Sequence, residues 1–321
     1  MSDHPTRREF LLRIGAASAA AAGVAGVAAW LAGRPGSGAA GPGTRLPDFA
    51  TAGAGPPLVI ARGEDPARLV SAGLEEMGGI GRFVSKGDVV LVKPNAAFDR
   101  PPWQGATTHP GVLAAVVAAC VRAGAAEVLV TDNPIHAPES AFRKSGLAKA
   151  AEDAGGKVLL PAENLFAPIA APGSLLDGWP ALAIPLRRAT KLIGIAPVKD
   201  HNLARASLGM KNLYGLLGGP RNRLHQRLDE AIAALGAVFR PTLSILDGVR
   251  ILTRNGPTGG SPEDVVPGNV LAFGTDPVAA DAFGATLLRL DPAALPWLEL
   301  AEARGLGTAD FRSLSPKEID A

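Results

Sequence analysis

The chain has a single cysteine, Cys120, among 321 residues. One thiol excludes an intrachain disulfide. It also excludes a self-contained iron–sulfur cluster, which takes about four thiolates. Cys120 closes the apolar pattern V-L-A-A-V-V-A-A-C and reads as a small buried hydrophobe. Aromatic residues are scarce, at 5%. A surplus of charge is missing too: Lys+Arg 32 against Asp+Glu 30 leaves +2. No broad basic field marks a nucleic-acid partner. Familiar catalytic motifs are absent, with no G-x-x-x-x-G-K-[ST] phosphate loop, G-x-S-x-G elbow or H-E-x-x-H pair. Leu216-Leu-Gly-Gly219 is too sparse for a dinucleotide fingerprint.

Gly, Ala and Pro are abundant, and they concentrate at the N-terminus. Thr6-Arg7-Arg8-Glu9-Phe10-Leu11 precedes a weakly apolar run from Ile14 to Leu31. A twin arginine before a modest apolar run has the form of a Tat export signal, which implies the Tat translocase as a partner and a periplasmic or extracytoplasmic destination. Ser37-Gly38-Ala39 supplies small residues for cleavage. The other reading is an uncleaved anchor, for which the Ala- and Gly-rich run is poorly apolar. The expected organisation is a Tat signal peptide over 1–39, a flexible Gly/Pro-rich linker over 40–56 and one α/β domain over 57–321.

Short apolar runs alternate with helical patterns through the rest of the chain. Leu58-Val-Ile-Ala61, Val89-Val-Leu-Val92, Glu127-Val-Leu-Val-Thr131, Lys157-Val-Leu-Leu160, Ala181-Leu-Ala-Ile184, Lys191-Leu-Ile-Gly-Ile195, Leu243-Ser-Ile-Leu246 and Val270-Leu-Ala-Phe273 read as strands. Helices are expected after Asp65-Pro66, from Pro110 to Arg122, over Ser140–Ala154 and Leu228–Val238, after Asp276-Pro277, and over Leu295–Arg304. This alternation predicts an α/β fold with a largely parallel mixed sheet flanked by helices, one large domain with room for two lobes.

Polar residues gather where strands end. Lys93-Pro94-Asn95 closes one apolar run, and Asp132 closes the next. His109 falls near a helix N-cap, where backbone N–H groups can hold an anion or simply be capped. The stretch Ala196–Gln226 carries Lys199, His201, Asn202, Ser207, Lys211, Asn212, Arg221 and His225, together with Tyr214, the chain's one tyrosine. It is read as a loop after a strand end, where α/β proteins keep their chemistry. A helix beginning near Ser207 would put Ser207 and Lys211 on one face.

Taken together, these blocks resemble the domain of unknown function 362 family. The carriers are V-L-V-K-P-N ending at Asn95, P-V-K-D-H-N from Pro197 to Asn202, and S-L-G-M-K-N-L-Y-G from Ser207 to Gly215. To these are added R-x-x-x-H from Arg221 to His225, and the D-G, N-G-P-T-G-G and D-P-V-A-A-D blocks between Asp247 and Asp281. The resemblance covers Leu58 to about Leu290 and supplies a domain without an assigned activity. Some members carry appended ferredoxin-like modules whose cysteines this chain lacks.

Converging lysines and histidines suit a small anionic ligand. His201, Lys211 and Lys93 are the candidates for proton transfer or nucleophilic chemistry. Asn95, His109, Lys199, Asn202, Ser207, Asn212, Arg221 and His225 are candidates for ligand binding. Asp132, Asp247, Asp276 and Asp281 are candidate ligands for a divalent metal, or orienters of the bases, and Asp276 before Pro277 equally fits a helix cap. Two function classes stay open: an enzyme acting on a small anion by proton transfer or metal-assisted chemistry, and a periplasmic binding or redox-accessory protein that works with an iron–sulfur partner. The leader yields a first test. Replacing Arg7 and Arg8 together with lysine is expected to hold the protein in the cytoplasm on cell fractionation; undiminished periplasmic protein would refute Tat export.

Overall fold

The computed structural model describes residues 43–51 and 55–321. The expected signal peptide lies outside the described residues. The apolar runs of the first half form strands β1 (Leu58–Arg62), β2 (Val89–Lys93), β3 (Glu127–Val130) and β4 (Lys157–Val158). Strands β5 (Ala167–Pro168) and β6 (Pro180–Ala181) form a separate two-stranded sheet, and Ala181 also bridges Leu217. Then follow β7 (Lys191–His201), β8 (Arg205–Ser207), β9 (Leu243–Leu252), β10 (Val265–Gly274) and β11 (Lys317–Asp320).

The main sheet has nine strands in the order β11-β1-β10-β9-β7-β2-β3-β4, with β8 paired to β7. The block β9-β7-β2-β3-β4 is parallel throughout. On the main path only β10 is reversed, running antiparallel to both β9 and β1. The described residues therefore form a single α/β domain built on a mostly parallel mixed sheet. β7 lies near its middle, with a parallel neighbour on each side.

Parallel strands need crossovers, and the crossovers cover both faces. On one face Val90, Val92, Ile193, Ile195 and Ile245 pack against α1 (Pro66–Glu76), α2 (Pro110–Arg122) and neighbouring segments. Helix α3 (Pro138–Lys144) and helix α4 (Leu147–Asp153) follow β3. On the other face Leu91 and Leu192 meet α5 (Ala183–Arg188), the turn at Leu213–Leu216 that continues the short α6 (Gly209–Asn212), and α7 (Leu228–Phe239). Leu58, Ile60, Val198 and Leu246 meet α8 (Pro277–Leu287) and α9 (Pro296–Glu302). Alternation along β2 sends Val90 and Val92 one way and Leu91 the other, the period-two consequence of the pleat.

Three expectations are corrected here. The single helix over 140–154 is two helices. Ser145 Oγ turns back to donate to Ala141 O at 2.6 Å, and Gly146 takes φ +75° between them. The strand expected at 181–184 is only the pair Pro180–Ala181, since Ala183 already opens α5. The linker expected over 40–56 is packed against the domain where it is described, at 43–51. Thr44 N–H donates to Pro168 O (2.7 Å), Ala170 N–H donates to Thr44 O (2.9 Å), and Phe49 is 3% exposed within the α5–α7 core. Glycine and proline set the local composition, but one buried aromatic ties the segment down. Phe49→Ala is expected to destabilise the domain by about 3 kcal/mol in urea unfolding. A true linker position would cost within about 0.5 kcal/mol.

Candidate functional site

β2 and β3 run side by side in register, Val92 opposite Val130, so Lys93 and Asp132 leave the same end of the sheet. Their side chains meet: Lys93 Nζ lies 2.8 Å from Asp132 Oδ1, and both are 1% exposed. Lys93 Nζ also donates to Asn212 Oδ1 (2.7 Å) and Pro94 O (2.8 Å). Asp132 accepts from Ala96 N–H at 2.6 Å and Asn133 N–H at 3.0 Å. Asn212 Oδ1 takes a second bond from Asn95 Nδ2 at 3.0 Å. Asn95 Oδ1 in turn accepts from Lys199 Nζ at 3.3 Å. A continuous polar chain thus joins the ends of β2, β3 and β7 to α6.

The stretch read as a loop is in large part strand. β7 continues through Lys199 to His201 and turns back as β8, pairing Lys199 with Ser207 and His201 with Arg205. Lys199 and His201 are two residues apart on a strand and share a face, and Ser207 stands beside Lys199 on it. The helix expected from Ser207 begins instead at Gly209. Its N-terminus is held from α8: Gly209 N–H donates to Asp281 Oδ1 (2.7 Å) and Met210 N–H to Asp281 Oδ2 (3.1 Å).

These elements enclose a cavity of about 370 Å³. Of the expected residues, Lys93, Asn95, Asp132, Lys199, His201, Ser207, Lys211, Asn212, Arg221 and His225 line it. Five do not. Asn202 is exposed at the β7–β8 turn. His109 caps α2, its Nδ1 accepting from Gly111 N–H at 3.0 Å. Asp247 accepts from His109 N–H (2.6 Å) and Val249 N–H (3.2 Å). Asp276 caps α8 through Ala279 N–H at 2.8 Å. Asp281 caps α6 as described.

The four-aspartate metal set therefore does not assemble. Each carboxylate is satisfied separately, one by a lysine and backbone N–H groups, the others by backbone N–H groups. Among the described residues, no three His, Cys, Asp or Glu side chains group as a metal site. The anion expected near His109 is supplied by the chain's own Asp247.

Burial dominates the electrostatics. Lys93 is lowered by desolvation, against which Asp132 acts. Lys199 falls well below the ordinary lysine value, through burial first and then the charges of Lys211 and Lys93. Lys211 falls to about 8, through burial and then Lys93 and Arg221. His201 falls to about 3, through burial and then Lys211 and Lys199. His201 Nδ1 accepts from Leu203 N–H (3.1 Å) and Ala204 N–H (3.2 Å), so the neutral ring carries its proton on Nε2. Burial likewise lifts Asp247 to about 6 and Asp281 to about 7, with their backbone hydrogen bonds acting the other way.

Arg221 braces the wall, donating to Asn133 O (2.7 Å) and Pro134 O (2.9 Å). His225 is an exposed rim residue whose ring lies 5.5 Å from that of Tyr214. Phe98, Asn133 and Thr108 were not singled out from the sequence. Phe98 lines the cavity over Lys199. Asn133 joins the wall to Leu217 O at 2.7 Å. Thr108 donates to Ile195 O at 2.9 Å and accepts from Asn95 N–H at 2.8 Å. The available signal was rarity: Phe98 is an aromatic just beyond K-P-N in a chain with few aromatics.

Every residue of this polar network falls within 90–286, the span matched by the family described as "Domain of unknown function (DUF362)". The chain belongs to the DUF362 family. A thylakoid-associated protein of Synechocystis sp. is 31% identical over 249 residues, covering 73% of this chain and 73% of its own length. A crystal structure of a Thermotoga maritima protein aligns with 75% of this chain at 14% identity and a TM-score of 0.37; the chain spans 60% of that protein's length.

In this DUF362 chain the closest constraint on the site is Gly215. A Cβ there would stand 1.8 Å from Asp132 Oδ1 and 2.8 Å from Lys93 Nζ. Gly215→Ala is therefore expected to split the ion pair and cost about 3–5 kcal/mol in chemical denaturation, the range for stranding a buried charge. A cost below about 1 kcal/mol would show that the pair is not held by this contact.

Proposed function

We propose that the cavity binds a small oxyanion, a carboxylate or phosphate, and that Lys211 is its counter-charge and proton donor. The observation that carries this reading is the state of Lys211. It is 9% exposed. Among the described residues it has neither a carboxylate partner nor a hydrogen-bond acceptor, only the Tyr214 ring 5.4 Å from its nitrogen. A buried ammonium normally has a partner. Lys93, more deeply enclosed, has one.

A ligand anion would supply what the protein withholds, and the Nε2–H of His201 and the hydroxyl of Ser207 are further donors at the wall. With a value near 8, Lys211 exchanges a proton close to neutrality, which suits proton transfer to a bound molecule. The twin-arginine leader supports a site that works outside the cytoplasm.

The test uses phosphate and malonate as probes in calorimetry or thermal-shift titration. Lys211→Met is expected to weaken binding about 10- to 100-fold, the worth of a charge-assisted hydrogen bond. Stability should move by no more than about 1 kcal/mol, because no protein partner is stranded. The anion binds the protonated form. Measured with malonate, whose charge is constant near neutrality, wild-type affinity should therefore be level just below about pH 8 and fall about tenfold per unit as Lys211 deprotonates above it. In Lys211→Met that slope should vanish. An unchanged affinity and slope, or a stability loss of several kcal/mol, would make Lys211 a structural tie instead.

A further inference from the structure

Lys93 and Lys199 are each 1% exposed, yet only Lys93 has a counter-charge. Lys199 Nζ meets Ala106 O at 2.5 Å and Asn95 Oδ1 at 3.3 Å, two uncharged acceptors. Among the described residues, no carboxylate pairs with it. An ammonium presents three N–H groups and no lone pair. The neutral amine presents two N–H groups and one lone pair. Two acceptors use both N–H groups of the amine and leave its lone pair free. The ammonium would be an unpaired buried charge with a donor to spare. Burial and the neighbouring cations Lys211 and Lys93 favour the amine. The Phe98 ring face, 5.1 Å from Nζ at the cavity wall, favours the cation, but only weakly. One wall of the cavity thus offers an amine, and Lys211 offers a cation without a partner.

We propose that Lys199 is a nucleophile that condenses with the carbonyl carbon of a small 2-oxo acid whose carboxylate is held by Lys211. The inference rests on the anion reading of the same cavity. An amine and an unpaired ammonium on one enclosure match a carbonyl set next to an oxyanion, which is the defining feature of this substrate class. In the step, the Lys199 lone pair forms a C–N bond while the carbonyl π pair moves to oxygen. A proton passes from nitrogen to that oxygen, giving a carbinolamine. The C–O bond then breaks, and the oxygen leaves as water with both hydrogens of the original amine. The product is an imine between the substrate carbon and Lys199, with no net oxidation or reduction. The Lys211 ammonium can lend a proton to the departing oxygen and recover it from the iminium nitrogen.

The experiment incubates the full chain with pyruvate or glyoxylate and cyanoborohydride, which reduces an imine to a stable secondary amine, and maps the adduct by peptide mass spectrometry. The expected result is a single adduct per chain, on Lys199, suppressed about tenfold by saturating phosphate. Its yield should not climb with pH, whereas labelling of surface lysines rises about tenfold per unit below their own pKa. Mapping on the native protein makes the result independent of whether a Lys199→Met variant folds. An adduct on Lys211, or adducts spread over exposed lysines, would overturn the assignment. Protein that binds phosphate through Lys211 but forms no adduct would refute the nucleophile and leave the anion reading standing. A Lys199 adduct that phosphate does not suppress would overturn the 2-oxo acid class. Absence of both phosphate binding and adduct would sink both readings together.

Discussion

The site depends on one ion pair, Lys93 with Asp132, 2.8 Å apart and closed off from water. Taking both charges out of water costs several kcal/mol apiece, and their attraction roughly offsets this, so the pair adds little net stability. Its effect is on arrangement. Once buried, neither charge can lose the other without stranding it. The ends of β2 and β3 are thereby fixed against each other, Asn212 is drawn onto Lys93, and the chain at Gly215 must approach without a side chain. The cavity wall inherits its shape from these requirements.

A second set of carboxylates fixes the surrounding backbone. Asp247, in the middle of β9, holds the start of α2 through His109 N–H. Asp281, inside α8, holds the start of α6 through two N–H groups. Both lie far along the chain from the segments they hold. Asp281 is needed because α6 has only four residues and Leu208 before it offers no capping side chain. Gly209 serves the same contact, since a Cβ there would stand 2.9 Å from Asp281 Oδ1. Acidic residues of ligand type are thus consumed in holding backbone: Asp281 holds α6, which carries Lys211 and Asn212, and Asp247 holds α2.

Most of the fold was legible because period-two and helical patterns and Asp-Pro caps are local signals: Asp65-Pro66 and Asp276-Pro277 both start helices in the structure. Lys93, Lys199 and His201 were legible as candidates because they follow apolar strand runs, and Lys211 because it sits in the K-N-L-Y-G block just after them. The extent of β7 was not, since Pro197, Lys199 and Asp200 read as strand only once β8 and β9 pair with them. The role of the aspartates was hidden for the same reason: Asp247 and Asp281 find their partners 138 and 72 residues away. The N-terminal segment misled through composition. Among glycines and prolines, Phe49 and Leu46 pack on the core and Thr44 bonds to the backbone of Pro168 and Ala170.

Three lysines share one enclosure with one carboxylate, and the environment gives each a different state. Lys93 has a counter-charge and three oxygen neighbours. Lys199 has two neutral acceptors and no counter-charge. Lys211 has an aromatic face and open cavity. Identical side chains acquire distinct protonation behaviour by this means, just as paired carboxylates do in enzymes that need one acid and one base. The arithmetic also sets a limit. If all three lysines were charged, they and Arg221 against Asp132 would leave an excess of three positive charges in a space of about 370 Å³. Losing a proton from Lys199 removes one of them. On the reading proposed above a bound oxyanion offsets one of the remaining two, or both as a dianion, and the ligand then continues the charge balance that the Lys93–Asp132 pair begins.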